Sequence, residues 1–252
     1  MLVWGRGVSS NTPTLKILVA ERQIVRPGDC LALIEGVYER EIRHIPDKHI
    51  YILGNKVYSD VVGVVSIENN SVSVVPLEST YIPRKDDIVI GVVSGFSVTA
   101  WYVNIKSPYK AVLPASDVIE GFNPAVHNLK NYLDVGDYVL AKIAVFDRLR
   151  DPVLTVKGKG LGKIVEGYVI DIKPSKVARV IGKKGSMYNL LTSATRCEIV
   201  VGVNGYVWAK CPDDYVLDVL IRAIKLIEAK AHMRGLTEEV KSYLASKLGV
   251  KL

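Results

Sequence analysis

The sequence predicts a multidomain protein, β-rich for its first two-thirds and α+β in its last third. Three observations carry this. The chain has 252 residues, enough for two domains or three small ones. Up to about Val156 it reads as short runs of Val, Ile, Leu and Tyr divided by turn residues, the pattern of strands. Beyond residue 158, two short helical segments flank Ile181-Gly182-Lys183-Lys184-Gly185, and a long amphipathic stretch follows. With 49% hydrophobic and 23% charged residues, the composition is that of a packed globular chain. No run reaches the ~18 uncharged apolar residues of a membrane span, and Met1 to Arg6 starts no apolar leader, so a cytoplasmic protein without membrane contact is expected.

Residues 1–82 contain four β-rich runs: Ile17 to Val19, Cys30 to Ile34, Val57 to Val65 and Val72 to Val75. Arg26-Pro27-Gly28-Asp29 and Glu68-Asn69-Asn70-Ser71 are turn signals between them. A small antiparallel β domain is expected.

Residues 83–158 give five strands: Ile88 to Ser94, Ala100 to Ile105, Tyr109 to Pro114, Tyr138 to Phe146 and Pro152 to Val156. A loop or short helix from Ser116 to Leu133 follows the third. Five strands with one long connection after the third match a small Greek-key OB barrel. Period-two alternation turns Val103 and Ile105 inward, so Tyr102 and Asn104 point outward.

Residues 159–252 begin with a strand over Lys163 to Ile172, then Pro174-Ser175 with Ser175 as an N-cap, and a short helix from Lys176 to Ile181. Ser186 is expected to cap the next helix, whose buried face carries Tyr188 and Leu191. Strands over Glu198 to Val201 and Tyr206 to Lys210 follow. A long helix from Asp213 to Ala231 has Val216, Leu217, Leu220, Ile224 and Ile227 on one apolar stripe. A last helix, Thr237 to Leu248, starts at an N-cap Thr237; Val240, Leu244 and Leu248 would dock it on the body.

Charge separates these regions. Residues 1–82 hold 8 basic and 9 acidic side chains, residues 83–158 hold 9 and 8, and residues 159–252 hold 16 and 9, so the whole excess of +7 lies in the last third. Such a concentration is an electrostatic footprint for phosphates. Chemistry of other kinds finds no foothold. His44, His49, His127 and His232 are scattered, with no nucleophile arrangement and no carboxylate cluster at metal spacing. Asp86-Asp87 precedes a strand and Asp213-Asp214 begins a helix, where acidic groups suit the helix dipole. Cys30, Cys197 and Cys211 form no C-x-x-C pair, which argues against a zinc ribbon; buried free thiols are expected. Neither catalysis, nor a metal, nor a cofactor is expected.

The motifs now carry resemblances. Gly182-Lys183-Lys184-Gly185, between two short helices, is similar to the GXXG loop of KH domains, and the order β-α-α-β-β-α is that of a type I KH domain with an extra C-terminal helix. Such loops hold about four nucleotides of single-stranded backbone, here across Gly182, Lys183, Lys184 and Gly185, with Arg179 one helical turn earlier as a further phosphate contact. Gly91-x-Val93, Tyr102-Val103-Asn104-Ile105, Ser116-Asp117 and Val135-Gly136-Asp137-x-Val139 resemble an S1 domain. That resemblance makes Tyr102 the base-stacking candidate. Pro114 stands where many S1 domains have a histidine, so RNA contact leans on Lys110, Arg148 and Arg150. Asn-Gly marks a tight hairpin, and Gly202-x-Asn204-Gly205 with Trp208 three residues on, inside a KH domain that follows an S1 domain, resembles the exosome cap subunits. Val25-x-Pro27-Gly28-Asp29 and Tyr58-Ser59-Asp60-Val61-Val62-Gly63 are similar to that family's leading β domain.

The chain is thus identified as a member of the KH-containing RNA-binding cap subunits of the archaeal exosome. The resemblance implies three domains, 1–82, 83–158 and 159–252. It implies a non-catalytic subunit, three per hexameric ring of RNase PH-like proteins, in places mixed with the zinc-ribbon cap subunit. Its leading domain would grip the ring, its S1 domain line the pore, and the cap would bind single-stranded RNA and feed the 3′ end inward for 3′-to-5′ degradation, with a preference for A-rich RNA. Two other readings stand beside this one: a free-standing S1/KH factor in transcription or translation, and a nuclease in its own right.

Overall fold

A computed structural model of the chain describes residues 14–36, 39–147, 149–231, 233 and 235–249. The chain divides into two compact units after Glu78.

The first unit holds β1 (Leu15–Ile17), β2 (Ile24–Val25), β3 (Cys30–Ile34), β4 (Glu39–Ile45), β5 (Ile50–Gly54), β6 (Lys56–Ser59), β7 (Gly63–Glu68) and β8 (Ser71–Pro76). They form two antiparallel sheets, β1-β3-β6-β5-β4 and β2-β7-β8. Leu31, Val57, Val65, Val72 and Val74 fill the core. The run expected as one strand over Val57 to Val65 is two strands in different sheets. Ser59 causes the break: its hydroxyl donates to Val61 O at 2.7 Å and accepts from Val61 N–H at 3.3 Å, offering the backbone an alternative to the ladder. The Glu68–Ser71 turn signal is met by Asn69 and Asn70, both at positive φ, which suits a tight hairpin. Two strands absent from the sequence expectation, β4 and β5, pair across His44 and Tyr51.

The second unit opens with a barrel. β9 (Ile88–Phe96), β10 (Ala100–Asn104) and β11 (Ala111–Pro114) lead into α1 (Ala115–Val118), then β12 (Tyr138–Val145) and β13 (Val153–Thr155). β13 pairs with both β11 and β12, which closes five strands into a barrel. Trp101, Val103, Ile105, Leu113, Ile143 and Leu154 are fully buried inside it. Trp101 Nε1 donates to Leu133 O at 3.0 Å and so pins the long connection. The acidic pair before β9 is structural: Asp87 accepts from the Tyr81 hydroxyl at 2.6 Å and from Arg84 N–H at 3.0 Å, and Asp86 pairs with Lys142 at 3.4 Å. Burial first, then the Asp87 carboxylate, hold the Tyr81 hydroxyl far above the usual phenol range.

The segment expected as one strand over Lys163 to Ile172 is also two. β14 (Gly162–Ile164) adds to the barrel along Tyr138 to Leu140 of β12, whereas β15 (Tyr168–Asp171) starts the next sheet. Then follow α2 (Val177–Ile181), α3 (Ser186–Thr195), β16 (Glu198–Val201), β17 (Tyr206–Lys210), α4 (Asp214–Ala229) and α5 (Leu236–Leu248). The sheet order is β15-β17-β16, antiparallel throughout. Leu191, Leu220, Ile224, Ile227, Val240 and Leu244 share one core, so the expected helical stripes and the docked last helix are observed.

The helix caps fall differently. Asp213 caps α4, accepting from Val216 N–H at 2.8 Å. Ser175, however, lies inside a single 3₁₀ turn, Pro174–Lys176, and Ser186 and Thr237 lie inside the first turns of their helices. Gly185 and Gly235 take the cap positions of those two helices instead. The expectation of three free thiols is also corrected. Cys197 and Cys211 form a disulfide, with Cα atoms 4.3 Å apart. They directly flank the Glu198–Lys210 cross-strand pair, so the hairpin register brings them face to face. Cys30 is free and half-buried.

Candidate nucleic-acid interface

The glycine loop is a single tight turn joining α2 to α3. Gly182 has φ +75°, and a Cβ there would lie 2.6 Å from Met187 N, so only glycine fits. Gly185 has φ +78°, and a Cβ there would meet only Asn189 Nδ2, at an ordinary 3.9 Å. The turn pushes Lys183 and Lys184 into solvent, and Arg179 on α2 is exposed as well. Five other cations of this region are engaged: Lys163 with Asp137 at 2.5 Å, Lys210 with Glu166, Lys225 with Glu228 at 2.9 Å, Lys230 with Glu239, and Arg222 with Asp218 at 2.9 Å. Lys183, Lys184 and Arg179 have no ion-pair partner among the described residues. Part of the regional charge excess therefore stands on this turn, where a phosphodiester could reach it.

On the barrel, Tyr102 points outward from β10 and is half-buried, as alternation requires. The Lys110 ammonium lies over its ring, 4.3 Å from the centroid. The loop after β12 borders this place, because Lys110 N–H donates to Asp151 at 3.3 Å. Arg150 on that loop is exposed and faces Asp147 at 3.7 Å. Arg148 lies outside the described residues. The structure thus brings Tyr102 and Lys110 together, and through Asp151 the loop of Arg150. A second aromatic–lysine pair stands at the end of the neighbouring strand: Phe96 is 36% exposed, with Lys130 Nζ 5.5 Å from its ring.

The Gly202-x-Asn204-Gly205 turn faces inward. Asn204 is fully buried; its amide donates to Ile90 O at 2.7 Å and Ile105 O at 3.0 Å and accepts from Ile90 N–H at 3.3 Å. These partners, Ile90 on β9 and Ile105 just past β10, are more than ninety residues away, so the turn ties the two folds together. Gly202 N–H donates to Tyr206 O and Gly205 O accepts from Ile172 N–H, both at 2.8 Å, which fixes the turn at its two ends. Lys106, not singled out from the sequence, reinforces the junction. It pairs with Asp171, donates to Ile172 O at 2.8 Å, and lies 5.0 Å from the Tyr206 ring centroid. Burial chiefly, then the Asp171 charge, raise the Tyr206 hydroxyl above the usual phenol value. At the edge of β14, burial pushes the Asp137 carboxyl up, but hydrogen bonds from Lys163 and Asp134 N–H and the lysine charge outweigh it, and the group is held low.

Among the described residues, no group of three or more His, Cys, Asp or Glu could hold a metal ion, and no helix is long and apolar enough to cross a membrane.

Known proteins align with this architecture along its length. Residues 22–78 match the N-terminal domain of exosome RNA binding protein RRP4, residues 81–164 the S1 domain of exosome complex component RRP40, and residues 167–215 a KH domain. Exosome complex component Rrp4 of Thermosphaera aggregans is 64% identical over 93% of this chain and 96% of its own length. The protein of the same name from Saccharolobus solfataricus is 47% identical over 93% and 92%. A crystal structure described as an exosome complex RNA-binding protein superposes with TM-score 0.64 and 41% identity, covering 67% of this chain and 97% of its own. With its three domains in this order and this degree of identity along nearly its whole length, the chain belongs to the Rrp4 family of exosome complex components.

Proposed function

We propose that this protein is a non-catalytic, cytoplasmic cap subunit of an exosome that binds single-stranded RNA. Residues 1–82 form the ring-contacting domain, 83–158 the S1 domain and 159–252 the KH domain. The cap, three subunits on a hexameric RNase PH-like ring, guides the RNA 3′ end inward for 3′-to-5′ degradation and favours A-rich RNA. The observation that carries the RNA-binding reading is the exposed, unpaired Lys183 and Lys184 on a turn whose backbone only Gly182 permits. The Tyr102–Lys110 pair supplies a stacking platform beside a cation, the combination that holds single strands without sequence readout. A relative's leading domain at residues 22–78 favours assembly into an exosome over a free-standing factor.

Reversing both loop charges with K183E/K184E is expected to weaken binding of a fluorescent single-stranded RNA roughly ten-fold and to flatten its salt dependence. Assembly with ring subunits, read by gel filtration, should be unchanged. A variant that binds RNA normally would show that the lysine loop is not part of the RNA surface. RNA degradation by the purified chain, with phosphate or a divalent metal, would overturn the non-catalytic assignment.

A further inference from the structure

We infer that the open groove between the β9–β10 loop and the segment 124–129 is a second nucleobase subsite, where an unpaired RNA base stacks on Phe96. This rests on the RNA-binding reading above and extends it to a site that no motif marked.

The groove has a volume of about 340 Å³ and is lined by Phe96, Val98, Pro124, Val126, His127 and Leu129, with Ser97 and Asn128 at its margin. That volume stands at the small end of the ~300–1,000 Å³ typical of ligand pockets, which suits a base with part of its sugar. Its exposed lining is part polar and part apolar, the apolar part including Val98, 71% exposed, and Val126, 75% exposed. One of its polar groups is a free donor. Asn128 Oδ1 is committed to Lys130 N–H at 3.1 Å, leaving the amide N–H₂ free to donate. His127 Nδ1 lies 3.0 Å from Asn123 N and 3.2 Å from Asn123 O, which anchors the ring at the groove. An apolar patch with an amide donor beside it fits the face of a base and an acceptor on its edge.

Charge selects the occupant. Tyr102 pairs in register with Gly95 and Phe96 with the buried Trp101, so the two aromatics stand on opposite faces of the sheet, Phe96 at the last position of β9. Each carries a lysine at its ring, Lys110 at 4.3 Å and Lys130 at 5.5 Å. A lysine over an exposed ring is worth only about 2- to 5-fold in an equilibrium, whereas a stacked base is worth roughly 5- to 150-fold. The base therefore wins the ring, and the displaced ammonium turns to the adjoining phosphate. The Phe96–Lys130 pair is thus suited to one base and its adjoining phosphate. A protein segment would fill the same slot without needing the lysine.

The test uses the full chain and a fluorescent single-stranded oligoribonucleotide. Phe96→Ala should weaken binding about 5- to 150-fold, and Phe96→Leu, equally apolar but unable to stack, should do nearly the same. Lys130→Ala should lower the slope of log affinity against log salt by about one. Val98→Glu, at an exposed position that no fold contact needs, should reproduce the loss and guards against misfolding of Phe96→Ala. Photocrosslinking with 4-thiouridine RNA should label the peptides of Phe96 or His127. If Tyr102→Ala weakens binding while Phe96→Ala and Val98→Glu leave it intact, the groove is not a base site and the RNA-binding reading survives. If the Phe96 variants weaken binding and the Tyr102 and lysine-loop variants do not, the groove stands and the wider assignment fails. A crosslink confined to Tyr102 and the glycine loop would also overturn the inference.

Discussion

Asn204 concentrates in one side chain the connection between two folds. Removing its amide leaves Ile90 N–H, Ile90 O and Ile105 O buried and unpaired. At about 1–3 kcal/mol for each orphaned group, only partly additive, Asn204→Ala is expected to cost ~2–5 kcal/mol in urea unfolding. Asn204→Asp keeps the shape but turns the donor into an acceptor facing two carbonyl oxygens. It should be at least as destabilising, although a purely steric role would leave it neutral. The two loop glycines differ in the same testable way. Gly182→Ala meets backbone at 2.6 Å as well as an unfavourable φ, whereas Gly185→Ala meets only the φ. Thermal unfolding should therefore rank Gly182→Ala well below Gly185→Ala, the latter losing about 1 kcal/mol. The outward direction of Tyr102 was legible because strand periodicity alone fixes it. The approach of Lys110 and the partners of Asn204 were not: the first depends on the path between β10 and β11, the second on a residue 114 positions away.

The β16–β17 hairpin is closed twice, by its Asn-Gly turn and by the Cys197–Cys211 disulfide at its open end. A crosslink enclosing a loop of this length stabilises by about 3 kcal/mol in the chain-entropy treatment. Cys197→Ser/Cys211→Ser is expected to lower the melting temperature, and added reductant should do the same to the native chain but not to the variant. Thiol titration of the unfolded protein without reductant should find one free thiol, Cys30; three would show that the pair is reduced. Disulfides of this kind are uncommon in reducing cytosol outside hyperthermophiles, so that titration also bears on the proposed location. β14 supplies an acid-sensitive element. Asp137 is held below its ordinary value near 3.8, so its carboxylate contributes stability that is fully present above that pH and is lost as pH falls through the lowered value. The melting temperature should fall more steeply below about pH 4 in the native chain than in Asp137→Asn. At this scale the sequence was readable wherever one face is buried, as in β3, β8 to β13 and α4. It misled where a side chain diverted the backbone, as Ser59 does between β6 and β7. It concealed β4 because charged residues such as Glu41 and Arg43 interrupt any apolar alternation there.

The whole chain is expected to melt in two steps. Residues 1–78 have their own apolar core. The barrel and the following α+β fold share one compact unit, crossed by Asn204, the Lys106–Asp171 pair and strand β14. Calorimetry should show one transition for that shared unit, and Asn204→Ala should split it; three independent transitions in the native chain would contradict the coupling. The three-domain order was legible from the motifs, but this coupling was not, because Lys163 looked like the start of the next sheet rather than an edge of the barrel. β14 has a consequence for avidity. A slack tether gives its second site an effective concentration that falls gradually with tether length. Here the connecting segment is spent as a strand, so the Tyr102 surface and the lysine loop stand at a fixed span, like two marks on a ruler. Affinity plotted against RNA length should therefore rise in a single step, at the first oligonucleotide long enough to reach both marks.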